Sequence, residues 1–364
     1  MDRVITIKST ILELLNINPF KEHLPWIGGD LQTLKDTFVF KRIKFKETKK
    51  LLIPIPRMKD TKIVENFLVG FLNYPSGKIK IKGAVILLHG LGGSSNRHGL
   101  KRITKKLLDS GFITVRINLR GAGPGRYVSA GTYSANCSSD LIPAIEYCKE
   151  KILLDYPFSR KEVIPFFGVG LSLGGTILIN TCLDSSAENK FLDGLVCVSS
   201  PLDLSECSRS IERLRNKIYQ KWLLKRLKDQ TIEDILNFNL INHETYVKKI
   251  NELSSIREFD ELITAPRWNY SSVEEYYKFS SPLNRKNEFK FNNTKILIIL
   301  SEDDPWVPYK HDIKDIISTY DLLKNITLVT SKKGGHNGFH DSTGCWSDKL
   351  IESWLIYIGN NLSK

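Results

Sequence analysis

The stretch Ile164-Pro165-Phe166-Phe167-Gly168-Val169-Gly170-Leu171-Ser172-Leu173-Gly174-Gly175 decides how this chain folds. An apolar run leads into the pattern G-x-S-x-G, from Gly170 to Gly174, and helical spacing follows in Thr176 to Leu183. A strand, a sharp turn and a helix are the context in which that pattern carries chemistry. The turn is so tight that only very small residues fit two positions before and two after the serine. It also sets Ser172 at a helix N-terminus, whose partial positive charge favours a developing anion.

Working outward, apolar runs alternate with helical spacing. Upstream lie Phe67 to Leu72, the wholly apolar Ala84 to Leu88, a helix over Leu100 to Leu108, Phe112 to Ile117, and a helix over Asp140 to Leu154. Leu195 to Val198 follows the serine, then Ile296 to Leu300, a helix near His311 to Thr319, Ile326 to Val329 and an amphipathic helix from Trp346 to Leu362. Continuous apolar strands alternating with helices predict an α/β fold with a mostly parallel sheet covered on both faces. The alternation stops between about Pro201 and Phe291, a polar, basic, helix-like stretch far longer than an ordinary connection. The expected organisation is therefore an α/β core over 61–200 and 292–364, a helical lid insertion over 201–291, and an irregular N-terminal extension over 1–60 packed on the core.

A serine nucleophile needs a base, and the base needs an acid to fix its tautomer. His336 stands in Lys333-Gly334-Gly335-His336-Asn337-Gly338, just beyond the last expected strand, and His340 is its alternative. Asp304 follows Ile296 to Leu300 and precedes Pro305-Trp306-Val307-Pro308; Asp303 and Glu302 are neighbouring candidates that could instead hold the loop. The order Ser172, Asp304, His336 is the Ser…Asp…His order of α/β-hydrolases. An oxyanion hole needs two backbone N–H donors. Leu173, next after the serine, and Leu91, in His89-Gly90-Leu91-Gly92-Gly93 after the strand Ala84 to Leu88, are the expected pair. The residues that bind substrate are not readable.

Together these motifs resemble the α/β-hydrolase superfamily, and more narrowly its YheT-like branch of esterases and medium-chain esterase/acyltransferase relatives. Asn118-Leu119-Arg120-Gly121-Ala122-Gly123 is similar to the branch's N-x-R-G-x-G loop. Asp30-Leu31-Gln32-Thr33 resembles its early H-L-Q-T motif, with Asp in place of His. Ile256 to Asp260, Ile263 to Pro266 and Tyr276-Tyr277 resemble its lid segment, in which Asp260 reads as an anchor. The resemblance spans roughly residues 25 to 360. It implies an ester hydrolase working through an acyl-enzyme, or an acyltransferase passing the same acyl group to an alcohol. A catalytically silent binding protein on this fold is the reading from another class, and the presence of all three candidate residues argues against it. The lid's Trp222, Leu223, Leu224, Trp268, Tyr270 and Tyr277 would suit a short- to medium-chain acyl group.

Composition sets the remaining expectations. The net charge of +13 gathers at Lys41 to Lys46, Lys78 to Lys82 and Lys217 to Lys228. No nucleic-acid motif accompanies it, so the expected partner is a small acyl ester rather than nucleic acid, with room for contact at a membrane surface. No motif suggests a metal or cofactor. None of the six cysteines forms a C-x-x-C pair, and several lie among apolar neighbours, which favours reduced thiols. Residues Met1 to Lys8 hold no apolar signal region and no run reaches the roughly 18 residues needed to span a bilayer. A cytoplasmic monomer is expected.

Overall fold

The computed structural model describes residues 11–39, 42–58, 65–77, 79–156, 164–185, 191–238, 243–291, 293–309 and 325–362. The helix expected near His311 to Thr319 lies outside the described residues. Eight strands form one sheet in the order β1-β2-β4-β3-β5-β6-β7-β8. They are β1 (Lys49–Ile55), β2 (Asn66–Asn73), β3 (Gly83–Leu88), β4 (Phe112–Asn118), β5 (Phe166–Leu171), β6 (Gly194–Val198), β7 (Lys295–Ser301) and β8 (Ile326–Ser331). β1 and β2 are antiparallel, and β3 to β8 run parallel. The stretch before residue 61 is therefore not wholly irregular. It supplies β1, whose alternating Leu51, Ile53 and Ile55 point inward, and the helix α1 (Gly29–Phe38). Pro54 does not break β1, because an edge strand needs only one of its two hydrogen-bonding sides.

The apolar runs are continuous because the sheet is covered on both faces. In β3, Ile86 and Leu88 join one core with Ile177, Leu195 and Ile298. Val85 and Leu87 join the other with Phe167, Val196 and Trp354. The flanking helices are α2 (His98–Asp109), α3 (Ser138–Asp155), α4 (Leu173–Asp184) and, at the C-terminal end, α9 (Trp346–Leu362). Between β6 and β7 the chain is helical, with α5 (Leu204–Ile211), α6 (Lys217–Asn237), α7 (His243–Glu252) and α8 (Val273–Ser280). These helices bury an apolar cluster of their own, including Ile211, Leu223, Leu227, Ile250 and Phe259, against which Leu91 and Trp306 pack. Among the described residues no helix is long and apolar enough to cross a membrane.

β3 is flanked by β4 on one side and β5 on the other, so the order reverses at its carboxyl end, where ligands bind in open α/β sheets. His89 shapes that end. Its Nδ1–H donates to the Gly90 carbonyl at 2.8 Å and its Nε2 accepts the Leu119 N–H at 3.2 Å. Burial pushes its pKa down to about 4, so the ring is neutral near pH 7. Beside it, fully buried Arg120 holds Asp140 in a two-pronged ion pair at 2.7 and 2.8 Å. Arg120 also donates to the carbonyls of Ala130 and Pro56. The N-x-R-G-x-G stretch is thus a tie between loops. Burial raises the Asp140 pKa despite the guanidinium, so desolvation is the dominant influence on that carboxyl.

Two stability outcomes follow from these ties. Replacing Arg120 by Met strands a buried carboxylate and should cost about 3–5 kcal/mol; adding Asp140→Asn should return part of it, with urea unfolding midpoints as the measure. For His89, the unfolded chain takes up a proton near pH 6.5 that the folded loop refuses until about pH 4. Its contribution to stability is complete above pH 6.5 and lost as the pH falls, by roughly 3 kcal/mol at the lower end. The drop in urea midpoint between pH 7 and pH 4.5 should be smaller in His89→Asn; equal drops would contradict the assignment.

Candidate active site

Ser172 follows β5 directly, and α4 begins at the next residue. Its backbone has φ 54° and ψ −129°, a conformation L-residues rarely adopt. The glycines explain how the chain tolerates this. A Cβ on Gly170 would lie 2.2 Å from the Gly175 nitrogen, and one on Gly174 would lie 2.6 Å from the Leu88 carbonyl oxygen. The Ser172 N–H donates to the Val198 carbonyl at 2.8 Å, which anchors the turn to β6.

His336 and Asp304 arrive from the loops after β8 and β7. His336 Nε2 lies 2.9 Å from Ser172 Oγ, and His336 Nδ1 lies 2.9 and 3.1 Å from the two Asp304 carboxylate oxygens. The consistent proton arrangement has Nδ1–H donating to Asp304 and Nε2 accepting from the Ser172 hydroxyl. Asp304 Oδ1 also accepts the N–H groups of Trp306 and Val307 at 2.8 and 3.0 Å. The Trp306 ring lies 4.2 Å from the His336 ring, tilted by 33°. All three residues expected from the sequence are therefore joined in one hydrogen-bonded chain.

The neighbouring candidates do other work. Asp303 accepts the Gly335 N–H at 2.9 Å, one residue before His336, and burial raises its pKa more than that bond lowers it. His340 sits 3.4 Å from Asp36, and burial pushes its pKa down to about 3. Asp260, in a π-helical turn over Asp260–Thr264, accepts from Thr264 and from the Tyr277 hydroxyl at 2.7 and 2.8 Å. Burial lifts its pKa to about 6.

The loop 89–93 presses on the serine. A Cβ on Gly90 would lie 2.8 Å from Ser172 Cβ and 3.3 Å from its Oγ. Leu91 and Leu173 both line the cavity that contains Ser172 and His336. Neither of their N–H groups donates to a protein acceptor among the described residues. The cavity measures about 630 Å³. Trp222, Leu223 and Tyr277 of the expected lid set line it, whereas Leu224 is buried among the helices. Trp268 and Tyr270 pack against the sheet's core, and the Trp268 indole donates to the Thr132 carbonyl.

The D-L-Q-T stretch has a role the sequence did not reveal. Gln32 is buried and clamps His340, donating to its carbonyl at 3.0 Å and accepting its N–H at 2.7 Å. Thr33 Oγ1 accepts the His336 N–H at 2.8 Å. Asp30, the departure from the motif, is exposed and meets Tyr219 and Arg215 of the helical segment at 3.0 and 3.1 Å. Arg97 and Arg226 were also not singled out. Their guanidinium carbons lie 5.5 and 4.6 Å from the Trp222 ring centre, and both line the cavity.

The chain is also similar to known proteins. YheT of Escherichia coli is 28% identical over 75% of this chain and 76% of its own length. The monoacylglycerol lipase of Saccharomyces cerevisiae is 27% identical over 72% of this chain and 56% of its own. Across the curated relatives the chain spans between 56 and 76% of their length. An esterase structure from Pyrococcus furiosus superposes with a TM-score of 0.51 at 16% identity, covering 95% of this chain and 96% of that one, a likeness of fold. Residues 79–343 match the family described as serine aminopeptidase, S33. With that match over most of its length, and with the sheet order and serine turn described above, the chain belongs to this α/β-hydrolase family.

Proposed function

We propose that the chain is a serine hydrolase of carboxylic esters with short- to medium-chain acyl groups. The observation that carries this reading is the hydrogen-bonded chain Asp304–His336–Ser172 at the wall of the 630 Å³ cavity. In the proposed reaction Ser172 Oγ attacks the acyl carbon while His336 Nε2 takes its proton. The N–H groups of Leu91 and Leu173 hold the resulting oxyanion. Asp304 stabilises the imidazolium and keeps its orientation. Collapse breaks the bond to the alcohol, which leaves with the proton from His336. Water, deprotonated by His336, then attacks the acyl-enzyme and releases the acid and free Ser172.

The family's description names a peptidase, and two observations favour esters. An aminopeptidase must neutralise the ammonium of its substrate, yet both cavity carboxylates are engaged. Asp260 is held by Thr264 and Tyr277. Asp36 is held by Arg102; burial would raise its pKa, but His98 and Arg102 outweigh that and keep it well below the usual carboxylate range. The cationic groups beside Trp222 would repel an ammonium. The helices between β6 and β7 act in this reading as a lid over the acyl group, with Leu223 and Tyr277 facing the cavity. We also read the chain as cytoplasmic, on its six unpaired cysteines.

A fluorophosphonate probe should label the protein, and Ser172→Ala should lose both labelling and hydrolysis of nitrophenyl esters, with kcat down on the order of 10⁶-fold. His336→Ala should be inactive while His340→Ala keeps most activity. Asp304→Asn should lose roughly 10⁴-fold, and Asp303→Asn far less. Undiminished labelling of Ser172→Ala would sink the assignment. Product analysis with and without an added alcohol separates hydrolysis from acyl transfer.

A further inference from the structure

Two guanidinium groups that ester cleavage does not use lie against the loop that presses on Ser172. Arg97 donates from Nη2 to the Gly92 carbonyl at 3.3 Å. Arg226, on α6, lies against the same glycine: a Cβ there would sit 3.4 Å from Arg226 Cβ and 3.7 Å from its Cδ. Both guanidiniums meet one indole, Trp222, which is 46% exposed. Among the described residues neither arginine has a carboxylate partner. Asp229, one turn on from Arg226, is paired with Lys225 at 2.7 Å instead.

Two cations gathered on one ring repel each other, and the carboxylate that acts on Arg226, that of Asp229, is itself bonded to Lys225. The indole face offsets part of that repulsion, and a bound anion would remove it. Guanidinium forks match phosphate oxygens in pairs, and two of them match the charge of a phosphate better than that of a carboxylate. Position assigns the anion to one side of the ester. The inner wall, with Leu204, Ile211, Tyr277 and Val307, is apolar and suits the acyl chain. Exposed Trp222 marks the mouth, which is left for the alcohol.

We propose that Arg97 and Arg226, both beside the Trp222 ring, form an anion subsite that binds a phosphate carried on the alcohol half of the ester substrate. The proposal rests on the ester-hydrolase reading for the identity of that substrate, but its test does not require turnover. Octyl phosphate, octanol and inorganic phosphate are titrated calorimetrically into full-length Ser172→Ala protein. Octyl phosphate should bind about tenfold or more tightly than octanol, the effect of one or more charge-assisted contacts. Inorganic phosphate should bind more weakly than octyl phosphate. Adding Arg97→Gln and Arg226→Gln should erase the advantage of octyl phosphate over octanol. Arg226→Lys, which keeps the charge and the stem, should retain part of it and guards against a folding artefact. No preference for octyl phosphate, or a preference that survives loss of both arginines, overturns the subsite. Inorganic phosphate binding as tightly as octyl phosphate overturns its assignment to a substrate. If octyl phosphate binds through the arginines while the wild-type chain cleaves no ester, the ester reading fails and the subsite stands.

Discussion

The site depends on backbone passing backbone at the serine turn. Gly174 of α4 runs under the ends of β3, within 2.6 and 2.7 Å of where a Cβ would meet the Leu88 and His89 carbonyl oxygens. Gly90 of the following loop closes on Ser172 itself. These contacts let three peptide segments share a space that side chains would otherwise fill. The strained backbone of Ser172 is a consequence: the chain must leave β5 and enter α4 with Ser172 alone between them. The same crowding holds the loop 89–93 against the hydroxyl, with His89 locking its carbonyl from the other side.

The histidine is held by a different device. The peptides around His336 are tied on several sides: Gly335 N–H to Asp303, Gly335 carbonyl to Ser301, His336 N–H to Thr33, and Asn337 N–H to Ser199. Gly335 and Asn337 both have positive φ, 58° and 56°, a region glycine adopts freely and asparagine keeps where its neighbours hold it. The ring is then fixed by Asp304 and by the face of Trp306. In the proposed reaction His336 works through its orientation, and that orientation is built from separate parts of the chain.

That division explains which features were legible in the sequence. The serine turn is local: its glycines, its strand and its helix are neighbours in the chain, although β5 starts at Phe166 rather than Ile164 and runs on to Leu171. Asp304 and His336 were found because each follows a recognisable parallel strand, whose carboxyl end must reach the serine edge. The roles of Gln32 and Thr33 depend on contacts some three hundred residues away, which no periodicity records. Strand β1 was missed for a related reason. An edge strand needs apolar residues only on one face, and Pro54, with Pro56 just beyond the strand and Lys49-Lys50 at its start, resembles a loop. The choice of Asp304 over Asp303 lay beyond composition as well, since both are aspartates on one turn and only geometry separates a carboxylate facing the ring from one facing the Gly335 amide.

The helical segment between β6 and β7 divides labour with the sheet. Its helices bury their own apolar cluster, so their packing among themselves does not depend on the serine turn. It meets the core at many places: Leu91 and Trp306 pack on its cluster, Asp30 reaches Arg215 and Tyr219, Asn216 donates to the Pro305 carbonyl, and Asp234 bonds the Gly131 N–H. Ser172, His336 and Asp304 all stand on loops at the sheet edge, while Trp222, Arg226, Asp260 and Tyr277 come from the helices. Substitutions at Trp222 or Arg226 can therefore alter the mouth of the cavity while the ties of Asn216 and Tyr219 to the Asp304 loop stay in place. The basic run over Lys217 to Lys228, read as surface charge from composition, has one member turned toward the cavity, and that member is Arg226. A charge cluster on an amphipathic helix is thus not uniform in meaning: the residue that packs on Gly92 differs from its solvated neighbours by position on the helix, not by chemistry.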